Sequence, residues 1–192
     1  RPWIFREIAH YLATGEHLER SVAIRSEQVT AVIDMAAQVA DFVILDINST
    51  LTGVGLAALD RADRILPVME AAFPVVRNAK RLVELFRRLG YSEEKILPIL
   101  NRYDADHLIT VSDIEKAIGI SIWQTLPSRS ETAHASVNQG TPLLKLKPKD
   151  PLTRQISLLA STLVQPESTS EAEDTPDSLV GSLRAGLRRW MR

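Results

Sequence analysis

The sequence predicts an α/β fold in which a mostly parallel sheet carries helices on both faces. Two observations point to it: short apolar runs recur with turn residues around them, and amphipathic helical patterns lie between them. Runs that are apolar throughout suit strands buried on both faces of a parallel sheet. Strands that alternate with helices imply right-handed crossovers, and hence a layered α/β domain.

The predicted strands occupy residues 41–46, 64–69, 95–100 and 120–126. Their sequences are "DFVILD", "RILPVM", "KILPIL" and "ISIWQTL". A short strand is also expected over residues 20–24. We interpret the first run as a buried strand that ends at an acid and is followed by a polar, glycine-ended turn.

Helices are expected between these strands, over residues 4–15, 25–40, 74–90 and 150–164. Pro74 suits the first turn of the third helix, and Gly90 suits its C-terminal cap. A further helix opens with a capping box from Ser112 to Glu115 and closes at Gly119. Another, containing Glu131, Ala133 and Ala135, ends at "GTP" (140–142).

Composition limits the classes of protein that the chain can be. With 192 residues, 45% of them hydrophobic, the chain fits one domain with an appendage. The net charge of −1 gives no global field that would attract nucleic acid. The absence of cysteine excludes disulfides, thiolate zinc sites and cysteine nucleophiles. No apolar run approaches the roughly 20 residues that span a bilayer, so we expect a cytoplasmic protein.

The chain changes character after residue 164. Residues 165–177 ("QPESTSEAEDTPD") contain five acids and no base, which is typical of a disordered linker. Residues 178–192 are apolar and basic together. We therefore divide the chain into an α/β domain (1–164), an acidic linker (165–177) and a basic amphipathic helix (178–192).

Three positions at predicted strand ends could carry chemistry, because ligands of doubly wound sheets bind beyond the carboxyl ends of the strands. Asp46 could hold a magnesium-bound water or orient an attacking water in phosphoryl transfer. Asn101 offers a donor and an acceptor to an adenine edge. The backbone near Pro127 could lie along a base. Each position alone is also explained by ordinary turn chemistry, which is the simpler account of Asp46.

Taken in order, these motifs resemble the C-terminal half of MinD/ParA-type P-loop ATPases. The resemblance covers about residues 28–164 and is greatest to the CpaE/TadZ proteins of tight-adherence (Flp) pili. It rests on the stretches "DFVILDI", "LDRADRILPVMEAAFPVVRNAKRLVELFRRLG", "ILNRYD", "ITVSDIEKAIG" and "LPSRSETAHASVNQGTPL".

The resemblance implies roles for four residues. Asp46 matches the family's strand-end acid near magnesium and the γ-phosphate. Asn101 and Arg102 match the nucleobase-contacting position, and Pro127 begins the loop beside the base. ATP and Mg²⁺ are the cofactors implied by the resemblance.

Two departures from the family pattern bear on activity. The family usually has proline two residues after the acid, where this chain has Asn48. No G-x-x-x-x-G-K-[ST] motif and no Gly-Lys dipeptide occur anywhere. Without amides that cradle phosphates and a lysine that neutralises them, we expect this chain alone to be inactive as an ATPase. Either a segment upstream supplies the loop, or the site has been lost.

The C-terminal segment predicts a surface-binding helix. Its apolar residues fall within an arc of roughly 120° on a helical wheel, with arginines beside or opposite it. The apolar set is Leu179, Val180, Leu183, Leu187, Trp190 and Met191, and the basic set is Arg184, Arg188, Arg189 and Arg192. Such a helix suits an anionic membrane surface, and docking on a protein groove is the alternative.

These observations predict a CpaE/TadZ-like pilus-assembly or localisation protein at the inner face of the cytoplasmic membrane. Its expected partners are pilus-machinery proteins, a second copy in a homodimer, and anionic lipid. One alternative is an active ATPase whose phosphate loop lies upstream. Another is a DNA-partition ParA-type ATPase that binds through the basic helix Arg77–Arg88, although a solvated face is the simpler account of that charge.

Overall fold

The computed structural model describes residues 24–47, 51–104 and 106–164. In chain order, the elements are α1 (Ser26–Val39), α2 (Gly53–Arg61), β1 (Val68–Met69), α3 (Phe73–Arg88), a 3₁₀ turn (Glu93–Lys95), β2 (Ile99–Leu100), α4 (Val111–Ile118), β3 (Gln124–Thr125), α5 (Ser130–Gln139), α6 (Leu143–Leu146) and α7 (Pro151–Val164). The predicted helix 4–15, the strand 20–24, the linker 165–177 and the helix 178–192 lie outside these residues.

The sheet is parallel, with strand order β1-β2-β3, which confirms the predicted α/β fold class. Its hydrogen-bond ladder is longer than the assigned strands. The amides of Leu97, Ile99 and Asn101 donate in turn to the carbonyls of Ile65, Pro67 and Met69 at 2.8, 2.9 and 2.7 Å. The even spacing of these bonds is that of a parallel ladder.

Proline accounts for the short assigned strands. Pro67 and Pro98 each lie inside a predicted strand, and neither has an N–H to donate. Their carbonyls still accept, from Ile99 at 2.9 Å and from Trp123 at 2.9 Å. The runs 64–69, 95–100 and 120–126 therefore all enter the sheet, but each proline removes one bond from the ladder.

Helix α3 forms largely as the sequence predicts. Pro74 lies in its first turn, where a missing N–H costs nothing, and Gly90 follows the C-cap Leu89 with φ of +82°. Its buried stripe consists of Val76, Ala79, Val83 and Phe86. These side chains recur at helical spacing, so one face of α3 packs onto the core while its charged face stays in solvent.

The core has two adjoining parts. Towards the carboxyl ends of the strands, Met69 and Leu100 pack with Ile114 and Ile118 of α4 and with buried residues of α3. Towards the amino ends, Ile65 and Ile96 pack with Leu59 of α2 and Phe86 of α3. Both residues of β2 are buried, as an inner strand requires.

The strand predicted over residues 41–46 is wrong. Residues 42–47 are extended but join no strand of the described sheet, and Ile44 is 93% exposed. An apolar run becomes a buried strand only when neighbours cover both its faces and both its edges. The described residues do not supply those neighbours for this run.

The capping box predicted at Ser112 and Glu115 is also wrong. The box is formed two residues earlier by Thr110 and Asp113, whose side chains bond each other's backbone amides at 3.2 and 3.3 Å. This start adds Val111 to the helix, where it packs against the core. Glu115 instead accepts a hydrogen bond from the amide of Ile122 at 2.8 Å.

Helix α2 is an element that the sequence analysis did not predict. It begins after Thr52, whose hydroxyl accepts from the amide of Gly55 at 3.2 Å and caps the N-terminus. The buried Gly55 faces Ile47, which a Cβ would meet at 3.5 Å. The close approach of helix and chain at this point holds Ile47 beside the core. None of the described helices is both long enough and apolar enough to cross a membrane.

Candidate functional site

The carboxyl end of β2 carries the two predicted base-contacting residues. The amide of Asn101 completes the ladder to Met69, and its side-chain Oδ1 accepts from the amide of Arg102 at 3.0 Å. Arg102 has φ of +51°, the one positive φ among the described non-glycine residues. A left-handed residue with a Cβ costs about 1–2 kcal/mol. The strand therefore ends in a tight turn at Asn101 and Arg102.

Glu70 joins the end of β1 to this turn. Its Oε1 lies 3.1 Å from Nη1 of Arg102, and both side chains are about half exposed. A surface ion pair of this kind contributes less than about 1 kcal/mol to stability. Its clearer effect is geometric, because it holds the guanidinium across the ends of two neighbouring strands.

The loop that follows is ordered by an aromatic stack. The rings of Tyr103 and His107 are 5.2 Å apart and nearly parallel, with an interplanar angle of 18°. Nε2 of His107 lies 3.0 Å from the carbonyl oxygen of Arg102. Since a carbonyl can only accept, Nε2 carries the proton in this contact. Two contacts from one ring therefore fold the loop back onto the left-handed residue.

Two hydrogen bonds bring the loop after β3 to the same edge. The amide of Tyr103 donates to the carbonyl of Leu126 at 2.9 Å, and the amide of Ser128 donates to Oδ1 of Asp104 at 3.3 Å. Pro127 lies between these two anchors and is half-buried. The structure therefore gathers Asn101, Arg102 and Pro127 at one edge of the sheet, and their predicted nucleotide-binding roles stay predictions.

Asp46 is not joined to this group by any described contact. It is exposed on the extended segment 42–47, beside Ile47, which packs at the amino-end part of the core. Asn48 lies outside the described residues, and so do the apolar and basic residues predicted for the C-terminal helix. The roles of these residues stay predictions.

The described residues fit one part of a nucleotide site and not the other. Asn101, Arg102 and Pro127 lie together, with Asn101 Oδ1 accepting from the Arg102 amide and the Arg102 guanidinium paired with Glu70. The residues do not fit the phosphate-binding part of such a site, because the whole sequence lacks the Gly-Lys dipeptide of a phosphate-binding loop. The described part of the chain also contains no cluster of three or more His, Asp or Glu residues that could hold a metal ion.

Two surface depressions lie away from this edge. One is lined by residues at the start of α3, namely Phe73, Pro74, Arg77, Asn78 and Arg81. The other is lined by residues 147–150 before α7. Neither depression includes Asn101, Arg102 or Pro127.

Sequence reasoning missed Glu70, Asp104, Tyr103 and His107. Glu70 and Asp104 each follow a predicted strand end, which was the one signal available for them. That signal does not reveal partners 32 and 24 residues away along the chain. The Tyr103–His107 stack spans a single loop, and their spacing matches no motif.

Comparisons with known proteins agree with this architecture. Over 138 residues the chain is 25% identical to the septum site-determining protein MinD of Thermotoga maritima, an alignment that covers 69% of this chain and 51% of that protein. The structure matches a ParA family ATPase from Chlorobium tepidum with a TM-score of 0.72 and 30% identity, covering 78% of this chain and 62% of that one.

A third relative is known with nucleotide. MinD of Pyrococcus horikoshii, solved as a complex with Mg-ADP, matches with a TM-score of 0.65 and 17% identity over 78% of this chain and 60% of that one. At that identity the likeness shows the fold alone. No protein-family profile matches the chain. The chain spans about half the length of the curated relative that it matches. In sequence and in fold, the chain is therefore similar to the MinD/ParA-type ATPases and has their α/β architecture.

Proposed function

We propose that this chain is a MinD/ParA-like interaction module of the CpaE/TadZ type, which helps to assemble or position a pilus machine at the cytoplasmic membrane. One observation carries the proposal. Hydrogen bonds join the loops that follow β2 and β3, as in a nucleotide-binding fold, yet the sequence contains no phosphate-binding loop. A surface of that kind can recognise a partner without turning over ATP.

Calorimetry with the full chain and Mg-ATP tests this proposal against the active-ATPase alternative. We expect no turnover and no micromolar dissociation constant, because nothing in the sequence neutralises the phosphates. Micromolar binding would refute the proposal.

If an upstream segment restores ATP binding, two variants separate the predicted roles. Asp46→Ala should mainly reduce turnover, and Asn101→Ala should mainly weaken base recognition. The reverse pattern would show that the two roles are assigned wrongly.

The proposal includes self-association that does not depend on nucleotide. The resemblance implies pairing across bound nucleotide, and that mode needs phosphate-loop contacts which this sequence lacks. Any homodimer of the chain should therefore have the same mass by light scattering with and without Mg-ATP. An ATP-induced increase in mass would count against the proposal.

The membrane part of the proposal rests on the sequence of residues 178–192. The full chain should co-sediment with vesicles of phosphatidylcholine and phosphatidylserine at low salt, and deletion of 178–192 should abolish this. Trp190→Glu should do nearly as much damage, because it places a charge in the apolar arc. Binding that survives the deletion would favour docking on a protein groove instead.

The DNA-partition alternative makes a different prediction. Arg77, Lys80, Arg81 and Arg88 are exposed on α3, whereas Arg87 is held by Glu93 and by the carbonyl of Gly119. Binding through this face would be salt-sensitive. We expect no mobility shift of duplex DNA at low salt; a shift that is lost in Arg77→Ala/Arg81→Ala would support the alternative.

A further inference from the structure

A short basic loop precedes α7. Residues 143–150 contain three lysines, Lys145, Lys147 and Lys149, and a single acid. All three lysines are exposed, and none of them forms an ion pair with a described residue. Leu144, beside them in α6, is 61% exposed. These four residues, which we call the lysine loop, present three positive charges together with one large apolar side chain.

The backbone of the lysine loop is held in place. The amide of Lys147 donates to the carbonyl of Leu143 at 2.8 Å, and the amide of Asp150 donates to the carbonyl of Lys147 at 3.1 Å. The carboxylate of Asp150 accepts from the amide of Leu152 at 2.9 Å and from the hydroxyl of Thr132 at 3.0 Å. The one acid therefore stabilises the start of α7 and leaves the charge of the lysines in place.

The charge of the lysine loop is local and does not reflect the chain as a whole. The net charge of the chain is −1, and residues 165–177 contain five acids and no base. Because charges more than about 10 Å apart are largely screened in salt, an anionic surface responds to a local cluster. Lysines are attracted to anionic lipid headgroups, and an apolar side chain among them can enter the interface. The lysine loop has both properties.

The chain beyond α7 is long enough to reach the same surface. With 14 residues, α7 separates its two ends by about 21 Å. Residues 165–177 can extend at most about 45 Å. They can therefore return residues 178–192 to the end of α7 at which the lysine loop lies.

We infer that the lysine loop is a second membrane-contact site, which binds the anionic headgroups of the bilayer that residues 178–192 also contact. This inference rests on the membrane part of the proposed function. It goes beyond it by assigning part of the membrane affinity to the α/β domain itself. The two sites act together, because both belong to one chain and the linker lets them meet one surface.

Co-sedimentation of the full chain with vesicles of phosphatidylcholine and phosphatidylserine at low salt tests the inference. A triple variant, Lys145→Gln/Lys147→Gln/Lys149→Gln, should bind at least about tenfold more weakly. The reason is that each lysine near such a surface accounts for about fivefold in affinity. The loss should be smaller at high salt, where the charges are screened.

Helix α3 provides the matched control. Arg77→Gln/Lys80→Gln/Arg81→Gln removes the same charge from three other exposed positions and should leave the affinity nearly unchanged. Far-UV circular dichroism shows whether both triple variants fold. Equal losses in the two variants would mean that net charge, and not the lysine loop, decides vesicle binding.

A fluorescent label shows directly whether the loop enters the bilayer interface. The chain has no cysteine, so Leu144→Cys provides a single site for an environment-sensitive dye. The emission of this dye should shift to the blue when the same vesicles are added. The dye on Leu108→Cys, a fully exposed position in the loop after β2, should not shift. An unshifted dye at position 144 would overturn the inference.

Deletion of residues 178–192 separates failure of this inference from failure of the proposed function. If the deletion abolishes binding but the lysine variant binds like the α3 control, the C-terminal segment acts alone and the inference is wrong. If the lysine variant binds weakly and the deletion has no effect, the inference holds and the proposed role of residues 178–192 is wrong. A lysine variant that keeps vesicle binding but loses a mobility shift with duplex DNA would assign the loop to nucleic acid instead.

Discussion

The carboxylate of Asp104 accepts a hydrogen bond from the backbone amide of Ser128 at 3.3 Å, so the loop after β2 fastens the loop after β3. This bond holds Pro127 at the same edge as Asn101. Asp104→Ala should speed hydrogen exchange at the Ser128 amide roughly two- to tenfold, the equivalent of one lost hydrogen bond. Asp104→Asn keeps an acceptor oxygen and should exchange nearly as the unmodified chain does. Equal rates in all three proteins would show that the bond does not order the loop.

The two buried threonines should respond in opposite directions to valine. Thr153 is 1% exposed, and its hydroxyl has no hydrogen-bond partner among the described residues, whereas Thr132 donates to Asp150 at 3.0 Å. Thr153→Val should raise the free energy of unfolding by about 1 kcal/mol, because it removes an unpaired buried hydroxyl. Thr132→Val should lower it by about the same amount, because Asp150 loses its donor. Urea unfolding measures both, and a destabilised Thr153→Val would contradict the assignment.

Gly119 and Gly90 form a matched pair for backbone strain. Both end a helix in the left-handed region, with φ of +78° and +82°. A Cβ at Gly90 meets nothing within 4 Å, but at Gly119 it meets Nη1 of Arg87 at 3.2 Å. Arg87 cannot yield freely, since Nη2 bonds both Glu93 and the Gly119 carbonyl at 2.6 Å.

Gly90→Ala should therefore lower the free energy of unfolding by about 1 kcal/mol, the cost of the left-handed backbone alone. Gly119→Ala should lower the free energy of unfolding by more than Gly90→Ala does. In an Arg87→Ala background, the difference between the two glycine variants should shrink, because the side chain that a Cβ at position 119 meets is gone. Thermal unfolding at one pH gives the comparison. Equal losses at the two glycines would mean that Arg87 moves aside without cost.

The capping box of α4 should make stability fall in acid. Hydrogen bonds from the Thr110 hydroxyl and amide hold the pKa of Asp113 below its ordinary value of 3.8. A lowered folded-state pKa adds stability above the unfolded value, and that stability disappears as the pH falls through the folded-state pKa. Asp113→Asn should thus be less stable than the unmodified chain at neutral pH, and the two should converge in acid.

Ser112→Ala provides the control for this prediction. Ser112 lies inside the helix rather than at its cap, so its replacement should leave the dependence on pH unchanged. If Ser112→Ala abolished the loss of stability in acid, the capping box would lie at Ser112 and Glu115, as the sequence predicted.

The phenol of Tyr91 should ionise at a higher pH than an ordinary tyrosine does. Burial, a hydrogen bond to Asp60 and the charge of Asp60 together raise the pKa of its phenol from 10.0 to about 12. A raised folded-state pKa gives stability that is complete below pH 10 and is lost as the pH rises towards 12. Absorbance at 295 nm should show a late component that Tyr91→Phe removes and Tyr103→Phe retains. A titration complete by pH 11 would contradict it.

The sheet and α3 were predictable because their signals are local. Pro74 and Gly90 mark the ends of α3, and its apolar stripe repeats at helical spacing. Residues 65–69 and 96–100 are apolar throughout, which is typical of strands buried on both faces of a parallel sheet. A single side chain cannot report whether a strand has neighbours, so the sequence of residues 41–46 predicted burial that the described structure does not show.

The candidate site was predictable in its location and not in its contacts. Strand ends marked Asn101 and Pro127, because parallel strands bring their carboxyl ends to one edge. Glu70 and Asp104 reach partners through tertiary proximity, which no spacing in the sequence encodes. At α4 the sequence predicted a capping box at Ser112 and Glu115, whereas Thr110 and Asp113 form it and Val111 packs against the core.

At Arg102 the left-handed backbone conformation costs stability, while the side chain contributes an ion pair with Glu70. Glycine would remove about 1–2 kcal/mol of conformational cost at this position, while the ion pair with Glu70 returns less than about 1 kcal/mol. Arginine is thus not the residue that gives the most stable loop. A laboratory selection for thermal resistance alone would therefore favour glycine at position 102, whereas under the proposed recognition role of this edge a selection for binding would keep the arginine. The residue found at position 102 after such a selection therefore shows whether stability or recognition was selected.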